Sequence, residues 1–216
     1  MTKYDKNALL LVDLQQDFCE GGNLAVPKAS AVIYLANQLQ PYFDFVVATK
    51  DWHPQNHESF ASNHQDKSIG DVINLHGVEQ ILWPDHCVQH SKGGEFHPGL
   101  NTILIKKILY KGTDKTIDSY SAFFDNKHLQ ATGLNDYLHG NSITTLYIMG
   151  LATDYCVKFT CLDAIKLGFE TVLIEDACRG VELNPGDIDK SLRLMHDSGV
   201  KIVTAQDVFH GMRISA

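Results

Sequence analysis

Among the five cysteines of this 216-residue chain, Cys156 has surroundings suited to nucleophilic chemistry. It follows the apolar run Leu146-Tyr147-Ile148-Met149 and the segment Gly150-Leu151-Ala152-Thr153-Asp154-Tyr155. Beyond it, Val157, Cys161, Ala164 and Ile165 recur on one face of a helix, with Gly168 at the C-terminal cap. Thr153 stands where an N-cap belongs, which puts Cys156 in the first helical turn. Free N–H groups and the positive end of the helix dipole favour a thiolate there and can hold an oxyanion. The plainer reading is a buried cysteine packed as a small hydrophobe. Two charged residues weigh against it. Asp13 closes the apolar run Ala8-Leu9-Leu10-Leu11-Val12, and Lys111 follows Ile108-Leu109-Tyr110. At the carboxyl ends of parallel strands these side chains can converge with Cys156. The carboxylate would take the thiol proton, and the ammonium would lower the thiol pKa.

A second set suits a metal ion. In Asp51-Trp52-His53 an extended backbone puts both donors on one face. Trp83-Pro84-Asp85-His86-Cys87 offers His86 as a third donor, with His57 and Cys87 as alternatives nearby. Two histidines and a carboxylate with open positions suit zinc, iron or manganese. Solvated loop histidines are the plain alternative.

Strands that present these residues are read at 8–13, 45–49, 102–105 with 108–110, 144–149, 171–175 and 201–204. Helices are read at 29–39, 127–138, after Cys156, and at 187–198, with a brief tail beyond 204. Residues 50–99 are polar and aperiodic. They form an excursion over the carboxyl edge of the sheet, with a short element near 72–81 whose type the pattern leaves open. Alternating strands and helices predict an α/β fold, a mostly parallel sheet wrapped by helices, in one domain over 1–216.

A net charge of −8 argues against nucleic acid or an anionic membrane surface as partner. No apolar run approaches bilayer-spanning length. The start, Met1-Thr2-Lys3-Tyr4-Asp5-Lys6, lacks a signal-peptide layout, and five scattered cysteines suit reduced thiols. A cytoplasmic protein is expected, and homo-oligomerisation is left open.

Together the blocks Leu11-Val12-Asp13-Leu14-Gln15, Asp51-Trp52-His53-Pro54, Trp83-Pro84-Asp85-His86-Cys87 and Gly150-Leu151-Ala152-Thr153-Asp154-Tyr155-Cys156 resemble the signature segments of bacterial nicotinamidases. These are isochorismatase-like cysteine hydrolases that also act on pyrazinamide. Segments 119–126 and 176–181 resemble the same family, and the similarity runs from about residue 8 to about 207. The resemblance implies a six-stranded parallel sheet with helices on both faces, Asp13, Lys111 and Cys156 as catalytic residues, and one divalent metal, zinc before iron or manganese. It places the metal on Asp51, His53 and His86, with His57 as the candidate for a fourth ligand, and a non-proline cis peptide at Leu151–Ala152. It further implies an oxyanion hole from the N–H groups of Ala152 and Cys156, and a ring pocket of Phe18, Trp83 and Tyr120. The implied reaction is nicotinamide to nicotinate and ammonia through a thioester, in NAD salvage. The rival readings are a carbamoyl amide hydrolase or isochorismatase of the same superfamily, and a non-catalytic metal-binding module.

Overall fold

The computed structural model describes residues 6–213. The N-terminal leader reading rests on residues 1–5 and lies outside them. Six parallel strands form one sheet in the order β5-β2-β1-β6-β7-β8. Here β1 is Lys6–Val12, β2 Phe45–Asp51, β5 Ile105–Lys111, β6 Ile143–Leu151, β7 Glu170–Arg179 and β8 Lys201–Val203. Leu9, Leu10 and Leu11 of central β1 have no exposed surface, as continuous apolarity predicts for a strand covered on both faces. Helices α1 (Ser30–Leu39) and α5 (Ala205–Arg213) pack together against β7, and α3 (Lys158–Lys166) packs against both β7 and α4 (Asp187–Asp197). The remaining helix, α2 (Leu134–Gly140), packs on β6. Among the described residues no helix is long and apolar enough to cross a membrane.

Several elements differ from expectation, each for a local reason. Residues 102–104 lie outside β5, which runs unbroken through Lys106 and Lys107. Those lysines suit an edge strand, and Lys106 covers the Phe45 ring at 4.4 Å. The helix read at 127–138 begins only at Leu134. Upstream, the Asp125 carboxylate accepts the N–H groups of Lys127, Leu129 and Gln130 and ties them into a turn. Strand β7 continues past Glu175 to Arg179, across an irregularity in its pairing with β6. The brief tail is helix α5. Thr204 and Asp207 bond reciprocally at its start, a capping box legible as Thr204-Ala205-Gln206-Asp207. Within the excursion, β3 (Val72–Leu75) and β4 (Val78–Ile81) form an antiparallel hairpin. Its turn is His76-Gly77, both at positive φ, the two-residue hairpin turn that settles the element left open near 72–81.

Candidate active site

All three residues of the expected catalytic set meet at the carboxyl edge of the sheet. Asp13 lies one residue past β1, with φ 51, a left-handed conformation that short polar residues tolerate. Lys111 ends β5 and is the registered partner of Asp51 on β2. Its Nζ lies 2.8 Å from Oδ2 of Asp13, 2.9 Å from Oδ1 of Asp51 and 3.3 Å from Sγ of Cys156, and donates to the Ser119 carbonyl at 3.1 Å. Thr49, two residues before Asp51 on β2, donates its hydroxyl to Oδ1 of Asp13 at 2.6 Å. Asp13, Lys111 and Cys156 are 0%, 2% and 6% exposed.

Cys156 does not sit in an ordinary N-terminal helical turn. Thr153–Val157 forms a π-helical turn, Ala152 occupies the N-cap position, and Thr153 makes no side-chain cap bond. Tyr155 and Val157 N–H both reach back to the Ala152 carbonyl at 3.1 Å, so the backbone takes up the Tyr155 N–H that a Thr153 cap could have served. The Leu151–Ala152 peptide is cis.

Charge in the cluster follows from burial set against pairing. Burial would neutralise Lys111, but Asp13 and Asp51 outweigh it and hold the ammonium well above its usual range. Asp51 is likewise buried, yet His53 and Lys111 hold its carboxyl well below the usual range. Burial raises Asp13, only partly offset by Lys111. Burial pushes the Cys156 thiol well up, Lys111 opposes this, and the two carboxylates add to it. Lys111 thus acts in the expected direction, but burial, joined by the two carboxylates, outweighs it and the thiol stands above its usual range rather than below it.

The second set is equally compact. His53 Nε2 is 3.0 Å and His86 Nε2 is 3.4 Å from Oδ2 of Asp51. The Nδ1 atoms face carbonyls, Gly112 O at 2.9 Å for His53 and Pro84 O at 2.8 Å for His86. A carbonyl only accepts, so each Nδ1 donates and each Nε2 is left facing Asp51, a donor to the carboxylate when protonated and a free lone pair for a cation when neutral. Two imidazole nitrogens and a carboxylate oxygen clustered within 4.8 Å, each ring oriented by a carbonyl on its other nitrogen, fit a divalent cation. Gly112, at φ +64, permits this: a Cβ there would lie 2.4 Å from Cε1 of His53. His57 is displaced to one side. Its Nδ1 meets the Ser59 hydroxyl at 2.7 Å, and its buried Nε2 has no hydrogen-bond partner among the described residues. It groups with His53 and Asp118, while burial and then His53 push its pKa down to about 4. Cys87, the other alternative, is not in either group, and burial keeps its thiol well above its usual range.

A pocket joins the two sets, lined by Phe18, Trp83, Tyr120, Asp51, His86 and Cys156 among others. Trp83 Nε1 donates to the Tyr120 hydroxyl at 3.0 Å, and the Trp83 ring meets Tyr155 edge-on at 4.9 Å. Sequence reasoning missed Tyr155, Asp118 and Val181 in this wall, and Thr49 behind Asp13. Thr49 was findable, since it shares a strand face with Asp51 at period two. Asp118 and Val181 carry no periodic signal.

A parallel α/β sheet with this cluster at its carboxyl edge has known relatives. The isochorismatase domain matches residues 7–207, and the chain belongs to that family. Within it, the chain is 48% identical over 206 residues to the nicotinamidase of Escherichia coli, covering 93% of this chain and 95% of that one. The structure of a nicotinamidase/pyrazinamidase from Acinetobacter baumanii superposes with a TM-score of 0.92 at 45% identity, covering 96% of this chain and 100% of that one. A pyrazinamidase from Pyrococcus horikoshii, solved in complex with zinc, superposes at 0.74 with 37% identity, covering 92% and 99%.

Proposed function

We propose that this chain is an amidohydrolase that converts nicotinamide, and pyrazinamide by the same chemistry, to the free acid and ammonia. The observation that carries the reading is the buried Asp13–Lys111–Cys156 cluster opening on a pocket that also holds the Asp51, His53 and His86 donors. Its membership of a family whose similar relatives are nicotinamidases supports the substrate. The reading extends to the whole chain as one hydrolase domain acting in the cytoplasm in NAD salvage.

Asp13 takes the proton from Cys156 as sulfur attacks the amide carbon, so charge moves within a pair already balanced by Lys111. The N–H groups of Ala152 and Cys156 receive the negative charge that develops on the amide oxygen. Asp13 hands its proton to the departing nitrogen, the C–N bond breaks, and ammonia leaves a thioester on Cys156. Asp13 then deprotonates a water, which attacks the thioester carbonyl and releases the acid. The proton returns to sulfur. Phe18, Trp83 and Tyr120 hold the aromatic ring while this proceeds. Asp51, His53 and His86 would hold one divalent ion, zinc by preference; His57, whose Nδ1 accepts the Ser59 N–H at 3.1 Å, would join as a fourth ligand only by giving up the proton that this leaves on Nε2. Such an ion, when bound, offers a Lewis-acid position to a ring nitrogen.

The test is ammonia release by purified protein from nicotinamide and from N-carbamoylsarcosine, with and without chelator. Nicotinate and ammonia from the first alone support the reading. Turnover of the second alone moves the protein to the carbamoyl amide hydrolases. Bound metal with no turnover makes it a binding module.

A further inference from the structure

Asp17 has no role in the steps above, yet it is a carboxylate only 7% exposed within a few residues of the pocket. It sits in the 3-10 turn Gln16–Phe18, whose last residue is the aromatic wall. Its two oxygens accept backbone N–H groups from elsewhere: Cys87 N–H on Oδ2 at 2.8 Å and Asn23 N–H on Oδ1 at 3.2 Å. Cys87 follows His86 and has φ 47, in the left-handed region that a residue with a side chain enters only when held there. Its carbonyl accepts the His53 N–H at 3.1 Å. The Cys87 backbone is therefore gripped from both sides, by Asp17 on its N–H and by His53 on its carbonyl. Asn23 adds a second tie, donating its side-chain amide to the Asp85 carbonyl at 2.8 Å. Gly93 backs the carboxylate so closely that a Cβ there would lie 2.0 Å from Oδ2.

We propose that Asp17 is a positioning residue that fixes His86 against the Asp51–His53 pair and holds Phe18 to the same wall. Phe18 and His86 rings lie 5.5 Å apart, so one carboxylate sets both the donor and the surface a substrate ring would meet. A carboxylate suits the position because both partners are N–H donors, one on each oxygen. A carboxylate offers two acceptor oxygens, whereas an amide offers one.

This inference rests on the proposed metal set, and the experiment separates the two. Chelator-stripped protein is titrated with zinc against a chromophoric competitor for wild type, Asp17→Ala, Asp17→Asn, Gly93→Ala and Asp163→Ala. Asp163 is an equally buried carboxylate on α3 that pairs with Lys166 at 3.2 Å, away from the pocket. Thermal midpoints are read on the same samples. Asp17→Ala is expected to weaken zinc about 10–100-fold, the range for residues that orient metal ligands. Asp17→Asn falls between it and wild type, Gly93→Ala shifts in the same direction, and Asp163→Ala binds as wild type whatever its midpoint. Wild-type protein that binds no zinc sinks the metal set and this inference with it. Zinc binding by wild type matched by Asp17→Ala sinks this inference alone. Where Asp17→Ala does not fold, wild-type affinity in both Asp17→Asn and Gly93→Ala overturns it.

Discussion

Replacing Lys111 with methionine removes one charge from the centre of the cluster while keeping most of the volume. The ammonium lies 3.3 Å from Sγ of Cys156. At an effective dielectric constant of about 20, a charge at that separation stabilises a thiolate by about 5 kcal/mol. At about 1.4 kcal/mol per tenfold change, thiolate at neutral pH falls by between three and four powers of ten. Nucleophilicity recovers part of this, because a more basic thiolate is the better nucleophile, with a Brønsted coefficient of about 0.4–0.5. The net slowing is about a hundredfold. Protonation of one carboxylate left without its cation returns some of that, so the expected loss is about 10- to 100-fold. The assay is the rate of Cys156 alkylation by iodoacetamide at pH 7, resolved from the other cysteines by peptide mass spectrometry. A Lys111→Met rate within threefold of wild type, in protein that retains its fold, would refute the claim that the ammonium governs the sulfur.

Cys156→Ala is expected to abolish turnover and leave ligand binding intact, measured by calorimetry with nicotinamide; measurable turnover by pure mutant protein removes the nucleophile. Gly112→Ala drives a methyl group into the His53 ring and adds a side chain at φ +64, so elemental analysis after dialysis should find the bound metal reduced. Unchanged metal content there shows that His53 does not ligate. Leu10→Ala opens a cavity under a fully buried central strand and should cost about 2–5 kcal/mol in denaturant unfolding. A loss under 1 kcal/mol means the sheet can collapse around it.

The strands of the sheet and the convergence of Asp13, Lys111 and Cys156 were legible because each follows an apolar run, and parallel strands present their carboxyl ends on one edge. The helix read at 127–138 was not, because Asp125 diverts its backbone by side-chain bonds that periodicity does not register. The hairpin near 72–81 had its signal in His76-Gly77, a turn whose left-handed histidine is outside the usual asparagine and aspartate pattern. The upward direction of the Cys156 pKa could not be read either. Spacing gave the ammonium and the helical turn, but the opposing desolvation depends on burial, which exists only after folding.

Strand β5 has a hydrogen-bonded neighbour on one side only, because it is the outermost strand of the sheet. The sole lysine in the cluster thus rides on an element held from a single flank, while Asp13 extends from the interior strand β1. Edge elements open at lower free energy than the interior. Peeling of that strand would withdraw the positive charge from its two acids while the middle of the domain stays protected from hydrogen exchange. Heat or mild denaturant would then silence the enzyme before it melts, and binding at the pocket would report on the docking of one ribbon.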